Sequence, residues 1–129
     1  MRAALGLVAA FLAAPVMAET GWQVVGQSPD EVVAIETASL ERLPEGVRFR
    51  ERRSLRGGQV DPYSRRLLRE VLAKRQIDCR GRRIATLTRA VFADNDALIE
   101  HRATRPRDAV WQPLAADDPL LRRLCGRSD

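Results

Sequence analysis

Cys79 and Cys125 are the only two cysteines in this 129-residue chain, and they constrain its fold more than any other feature. The N-terminus says what becomes of them. Arg2 supplies a positive charge, residues 3–14 are an unbroken apolar run ended by Pro15, and Val16-Met17-Ala18 forms a small-residue cleavage site. That order is the order of a secretory signal peptide over residues 1–18. The run is too short for a membrane-spanning helix, which needs about 20 apolar residues. A core helix would show a polar face, and this segment has none. Export carries the two thiols into an oxidising compartment, where a lone pair with one histidine in the chain lacks the ligands for zinc. The expectation is a Cys79–Cys125 disulfide. Closing a loop of about 46 residues removes on the order of 4 kcal/mol of unfolded-chain entropy, a large part of a small domain's net stability. A redox role would need the Cys-x-x-Cys spacing, which is absent.

No cysteine precedes Cys79, so the sequence offers no lipobox cysteine. The mature chain is expected to begin at Glu19, to lack a lipid anchor, and to be periplasmic or secreted. Residues 19–129 suit a single domain with a modest core. No later segment is long and apolar enough to span a bilayer. Of 22 Lys+Arg against 17 Asp+Glu, only Lys74 is a lysine. The net charge of +5 would suggest nucleic acid in a cytoplasmic protein. An exported one meets anionic lipid, lipopolysaccharide or sulfated glycan instead, so no nucleic-acid partner is expected. Acidic residues interleave with the arginines throughout, which also suits an ordinary solvated surface.

Along the mature chain, short apolar segments alternate with turns. Residues 22–25 are a short apolar start ended by Gly26, and the β-branched run 32–35 suits a strand. In Leu43-Pro44-Glu45-Gly46 the early proline and late glycine suit a type I turn with a following bulge. Residues 47–55 then alternate: Val47 and Phe49 take one side, Arg48, Arg50 and Arg52 the other, as in a half-buried strand. Residues 62–74 are ambiguous. Asp61-Pro62 is a good helix start, and Leu67, Leu68, Val71 and Leu72 make a helical stripe. Val71, Ala73, Ile77 and Cys79 equally share one strand face. Arg80-Gly81 and Asp94-Asn95-Asp96 read as turns around a strand at 84–92, and residues 97–103 follow with moderate alternation. Asp117-Asp118-Pro119 opens a short C-terminal helix with Leu120, Leu121 and Leu124 on one side and Gly126 as its stop. The class is α+β: a mostly antiparallel sheet with a C-terminal helix tied to it by the disulfide.

Several of these features in order make the chain resemble the surface-adhesin protein E-like family of small exported bacterial proteins. They are Trp22, the Ile35-Glu36-Thr37-Ala38-Ser39-Leu40 segment, Ile77-Asp78-Cys79, Trp111-Gln112-Pro113 and the closing Leu124-Cys125. The likeness covers roughly residues 20–126. It implies an antiparallel sheet carrying a disulfide-linked helix, and it makes the segment entering Asp78-Cys79 a strand, expected from about 70 to 79. For the family's named adhesin it implies surface attachment to host matrix proteins; without a lipid anchor, this chain is expected instead to be a periplasmic interaction protein of unknown partner.

The residues for catalysis are missing. His101, between Glu100 and Arg102, reads as a surface histidine, and Ser39, Ser54, Ser64 and Ser128 sit in no nucleophile motif. Asp94, Asn95 and Asp96 fall short of a calcium loop, and Gly57-Gly58 lacks the lysine of a phosphate loop. No catalytic residue, metal site or cofactor is assigned. The expected function is an exported, non-enzymatic binding domain whose partner is a protein or an anionic envelope component. One alternative has a geometry: as a strand, residues 47–55 place Arg48, Arg50 and Arg52 about 7 Å apart on one face. Such a row suits phosphate, sulfate or carboxylate arrays, or else pairs across the sheet with acids such as Glu36 and Glu70. Trp22 and Trp111 are expected to pack at the core or its rim.

The leader reading has a direct test. Intact-mass analysis of the exported protein should show a chain starting at Glu19, and retention of residues 1–18 would defeat it.

Overall fold

The structure, a computed structural model, describes residues 21–126. The leader and the expected mature start at Glu19 lie outside them. Within this span an 8-stranded antiparallel sheet is built from β1 (Trp22–Gln27), β2 (Glu31–Glu36), β3 (Glu41–Leu43), β4 (Gly46–Leu55), β5 (Leu68–Asp78), β6 (Arg83–Ala93), β7 (Leu98–Ala103) and β8 (Gln112–Pro113). Its order is β1-β2-β4-β5-β6-β7, with the short β3 beside β4 and β8 beside β6. One seven-residue helix, α1 (Pro119–Cys125), completes the domain. The α+β expectation is therefore corrected toward all-β: the helix is a clasp on a sheet, too short to be a layer.

Alternation in β4 is the backbone of the core. Val47 and Phe49 point inward beside Ile77 of β5 and Ile84 of β6, and Ile35 of β2 joins them. Leu121 and Leu124, three apart on α1, close over this cluster. The helix forms where the sequence indicates it. Asp118 caps it, its carboxylate accepting the Leu120 N–H at 2.9 Å and the Leu121 N–H at 3.4 Å. Pro119 takes the first position, and Gly126 ends it with φ 73°. The Cys79–Cys125 bond joins the end of β5 to the end of α1 across a Cα separation of 5.7 Å, and Arg42 Nη1 donates to the Leu124 carbonyl at 3.1 Å.

The segment with divided signals resolves as a strand. Asp61 does accept from a backbone N–H, that of Ser64 at 2.7 Å, but the turn stops when Arg65 enters the left-handed region at φ 61°. β5 pairs with β6 from Leu68 and with β4 from Glu70. Ladder bonding on both sides satisfies most backbone groups there, and it outweighs helix propensity differences of a few tenths of a kcal/mol per residue. The strand expected from about 70 begins at 68. Gly46 differs from expectation in its reason. Its φ is not positive; a Cβ there would run into the Ile77 carbonyl, so the glycine serves close approach of β5.

With so short a helix, the disulfide is what keeps Leu121 and Leu124 seated. Reducing it, or replacing both cysteines by serine, should lower Tm by about 15 °C or more, from about 4 kcal/mol over a 46-residue loop. A loss of only a few degrees in a thermal melt would show that the helix holds itself.

Candidate binding surfaces

β4 brings Arg48, Arg50 and Arg52 to the outer face of the sheet, opposite the core residues. Each meets a partner. Arg48 donates to Gln76 Oε1 at 2.9 and 3.2 Å and lies 3.8 Å from Glu41. Arg50 donates to Glu36 at 3.1 Å, and Arg52 lies 3.8 Å from Glu70. Trp22, at the edge, packs under this row: the Arg52 guanidinium stands 4.5 Å and that of Arg50 5.7 Å from its ring centroid. Trp111 does the same at the other end, with Arg83 at 4.6 Å. Both tryptophans are rim residues covered by arginine.

Asp78 organises the turn after β5. It accepts the Gly81 N–H at 3.0 Å and Arg83 Nε at 2.8 Å. These bonds favour the charged form and hold its carboxyl below the usual aspartate value, the Gly81 N–H first and Arg83 next. A hollow of about 530 Å³ lies beside it, bordered by Arg42, Glu45, Arg80 and the disulfide. His101 is exposed on β7, and among the described residues no cluster of His, Cys, Asp or Glu could hold a metal ion.

Two features were not singled out by sequence reasoning. The first is Glu51, which continues the Val47, Phe49 alternation and is 3% exposed. Arg53 Nε and Arg75 Nη1 donate to its two oxygens at 3.1 and 3.2 Å. The period that placed Phe49 inside already placed Glu51 there, and a carboxylate on a core face needs cations beside it. The second is the loop between β4 and β5. A bridge joins Val60 to Leu67. Asp61 N–H donates to the Arg66 carbonyl and Arg65 N–H to that of Asp61, each at 2.9 Å. This bracing presents Tyr63 with 94% of its surface exposed, beside the exposed Val60 and Leu67. Arg56, Arg65 and Arg66 form no ion pair among the described residues.

Compared with known proteins, the profile of the family described as surface-adhesin protein E matches residues 22–126. Solved structures of Haemophilus influenzae protein E are similar to the chain. Crystal form II is 20% identical with a TM-score of 0.57, covering 91% of this chain and 96% of that one. A selenomethionine form is 18% identical with a TM-score of 0.54, covering 87% and 88%. At such identities the likeness is one of fold. No curated protein matches the sequence.

The Asp78 turn carries a pH signature. Because its folded pKa is lowered, the stability it adds is present above the unfolded value near about 3.9 and is lost as pH falls through the folded pKa. Asp78→Asn should cost about 1 kcal/mol at pH 7. The difference in Tm should shrink below about pH 4. A difference constant with pH, read in parallel thermal melts, would show that the charge of Asp78 contributes nothing.

Proposed function

The chain belongs to the surface-adhesin protein E family, and from that membership we propose that it is an exported domain that works by binding, attaching to macromolecules of a host surface. The observation carrying this reading is the family match itself, which runs from Trp22 to Gly126 and so takes in every strand and the helix. The leader read over residues 1–18 supports a location outside the cytoplasm, and no helix among the described residues is long and apolar enough to cross a membrane.

In this reading the contact element is the braced loop tip between β4 and β5. Tyrosine and arginine are the residue types that dominate protein–protein contact energy, because each offers a large rigid area with a polar end. Tyr63 stands on such a tip with Arg65 and Arg66 following it, and the backbone bonds spare part of the ordering entropy that a flexible loop would lose. The arginine row of β4 has a different part in the same reading. With Glu41, Glu36 and Glu70 beside Arg48, Arg50 and Arg52, the row serves to hold the outer face together.

The mature domain should bind saturably to immobilised basement-membrane extract. Tyr63→Ala combined with Arg65→Ser and Arg66→Ser should weaken that binding about tenfold, roughly 1.4 kcal/mol, without changing Tm. The Arg48→Gln, Arg50→Gln, Arg52→Gln triple variant should bind as wild type does. No saturable binding by the wild type overturns the adhesin reading, and unchanged binding by the tip variant overturns the role given to Tyr63.

A further inference from the structure

The helix covers only one end of the inner sheet face. Around Phe49 the apolar residues lie under Leu121 and Leu124; farther along β4, the same face becomes polar. The register sets Phe49 beside Arg75 and Arg75 beside Thr86, while Glu51 stands beside Ala73 and Ala73 beside Arg89. There the sheet holds a hollow of about 210 Å³ bordered by Glu51, Arg53, Val71, Arg75, Thr86 and Arg89. A second hollow of about 210 Å³ lies on the other side of Arg75 and Thr86, bordered by Ile84, Thr104, Val110 and Gln112.

We infer that this paired hollow is a binding site for a sugar bearing a sulfate or phosphate group, with the oxyanion held by Arg53, Arg75 and Arg89 in the first hollow and the sugar in the second. The anchor is Glu51. Buried and bonded through both oxygens, it fixes two guanidinium groups in place before any ligand arrives, so little side-chain entropy remains to be lost on binding. Those bonds leave donors over. Arg75 uses Nη1 on Glu51 and Nε on Thr86, at 3.1 Å, and its Nη2 has no partner among the described residues. Arg53 uses Nε on Glu51 and Nη1 on Glu31, leaving Nη2. Arg89 gives Nη1 to Glu100 at 2.7 Å and keeps Nε and Nη2. Thr86 Oγ1 accepts from Arg75, so its own hydroxyl proton is available to donate.

Charge alone does not distinguish this face from the outer one, since Glu31 and Glu100 stand at its rim. Shape and spare donors do. Several N–H groups and one O–H group border a concave, partly desolvated space, which is what a tetrahedral oxyanion requires. Beyond Arg75, the hydroxyl of Thr104 and the amide of Gln112 lie among Ile84 and Val110. A sugar ring presents the same mixture of hydroxyl edge and apolar face.

The site shares no residue with the loop tip, so it stands or falls separately from the host-attachment reading. The test is an amide NMR titration of the disulfide-bonded mature domain with glucosamine 6-sulfate and with sodium sulfate, ionic strength being held constant with sodium chloride. Both should give saturable shifts at Ala73, Thr86 and Arg89, the sugar sulfate binding more tightly. Arg89→Gln, a change at a half-exposed side chain, should weaken both about tenfold. Gln112→Leu should remove the advantage of the sugar while leaving sulfate unchanged. Absent or unsaturable shifts, or shifts centred on Arg48, Arg50 and Arg52 and indifferent to Arg89→Gln, overturn the site. Equal binding of the two ligands overturns the sugar's place in the second hollow.

Discussion

Among the described residues a single seven-residue helix has to cover the sheet's apolar face, and the Cys79–Cys125 bond is how it is held there. A helix of two turns is unstable alone. Here it is capped by Asp118, stopped at Gly126, and tied at its last residue to the end of the central strand β5. That tie sets which apolar residues the helix covers. Ile35, Val47, Phe49, Ile77 and Ile84 form the patch that Leu121 and Leu124 reach, while Val71 and Val91 lie buried farther along β5 and β6.

The rest of the inner face follows from that limit. Long strands such as β4 and β5 continue past the helix, and their inward positions there cannot all be apolar without exposing a greasy surface. The chain places Glu51 at the boundary and surrounds it with Arg53 and Arg75. A buried carboxylate between two guanidiniums is a poor source of net stability, because desolvation offsets most of the Coulomb attraction. It is a good way to immobilise arginine. The outer face reaches the same end by other means: the arginines of β4 are spread among glutamates from β2, β3 and β5. So a chain with a net charge of +5 satisfies most of its sheet arginines internally, and net charge alone says little about what it binds.

How much of this was legible depends on whether the deciding contact is local. Caps and turns were, since the residues that form them are a few positions apart: Asp118 before Pro119, Gly126 after Cys125, Asn95 between two aspartates. The strand character of 47–55 was legible because alternation is a property of the strand itself. Glu36 and Glu70 could be named as partners of the arginine row from the same alternation. The segment 62–74 was divided because its own residues favour a helix, while the contacts that decide it come from β4 and β6, distant in sequence. Glu51 was missed for a different reason. Charge was read as exposure, although the period that buried Val47 and Phe49 extended to it. The hollow beside it depends on three strands in register and on where α1 ends, and no single segment carries that information.

The two surfaces of the domain that remain unfilled differ in how they could bind. Tyr63 stands out from a convex tip, and a convex tip must find a pocket or cleft on its partner to desolvate the ring. The Arg75 hollows are concave and take a small group into themselves. The first suits a macromolecule and the second a charged group on a chain or a free sugar. They are also built on opposite supports. The tip rests on local backbone bonds between residues 59 and 68, so it survives changes elsewhere in the domain. The hollow rests on the register of β4, β5 and β6 around Glu51, and that register is adjoined by the core that the disulfide holds closed. The Cys79–Cys125 bond thus stabilises the helix directly and the concave site through the core beside it, while the exposed tip owes its form to its own turn.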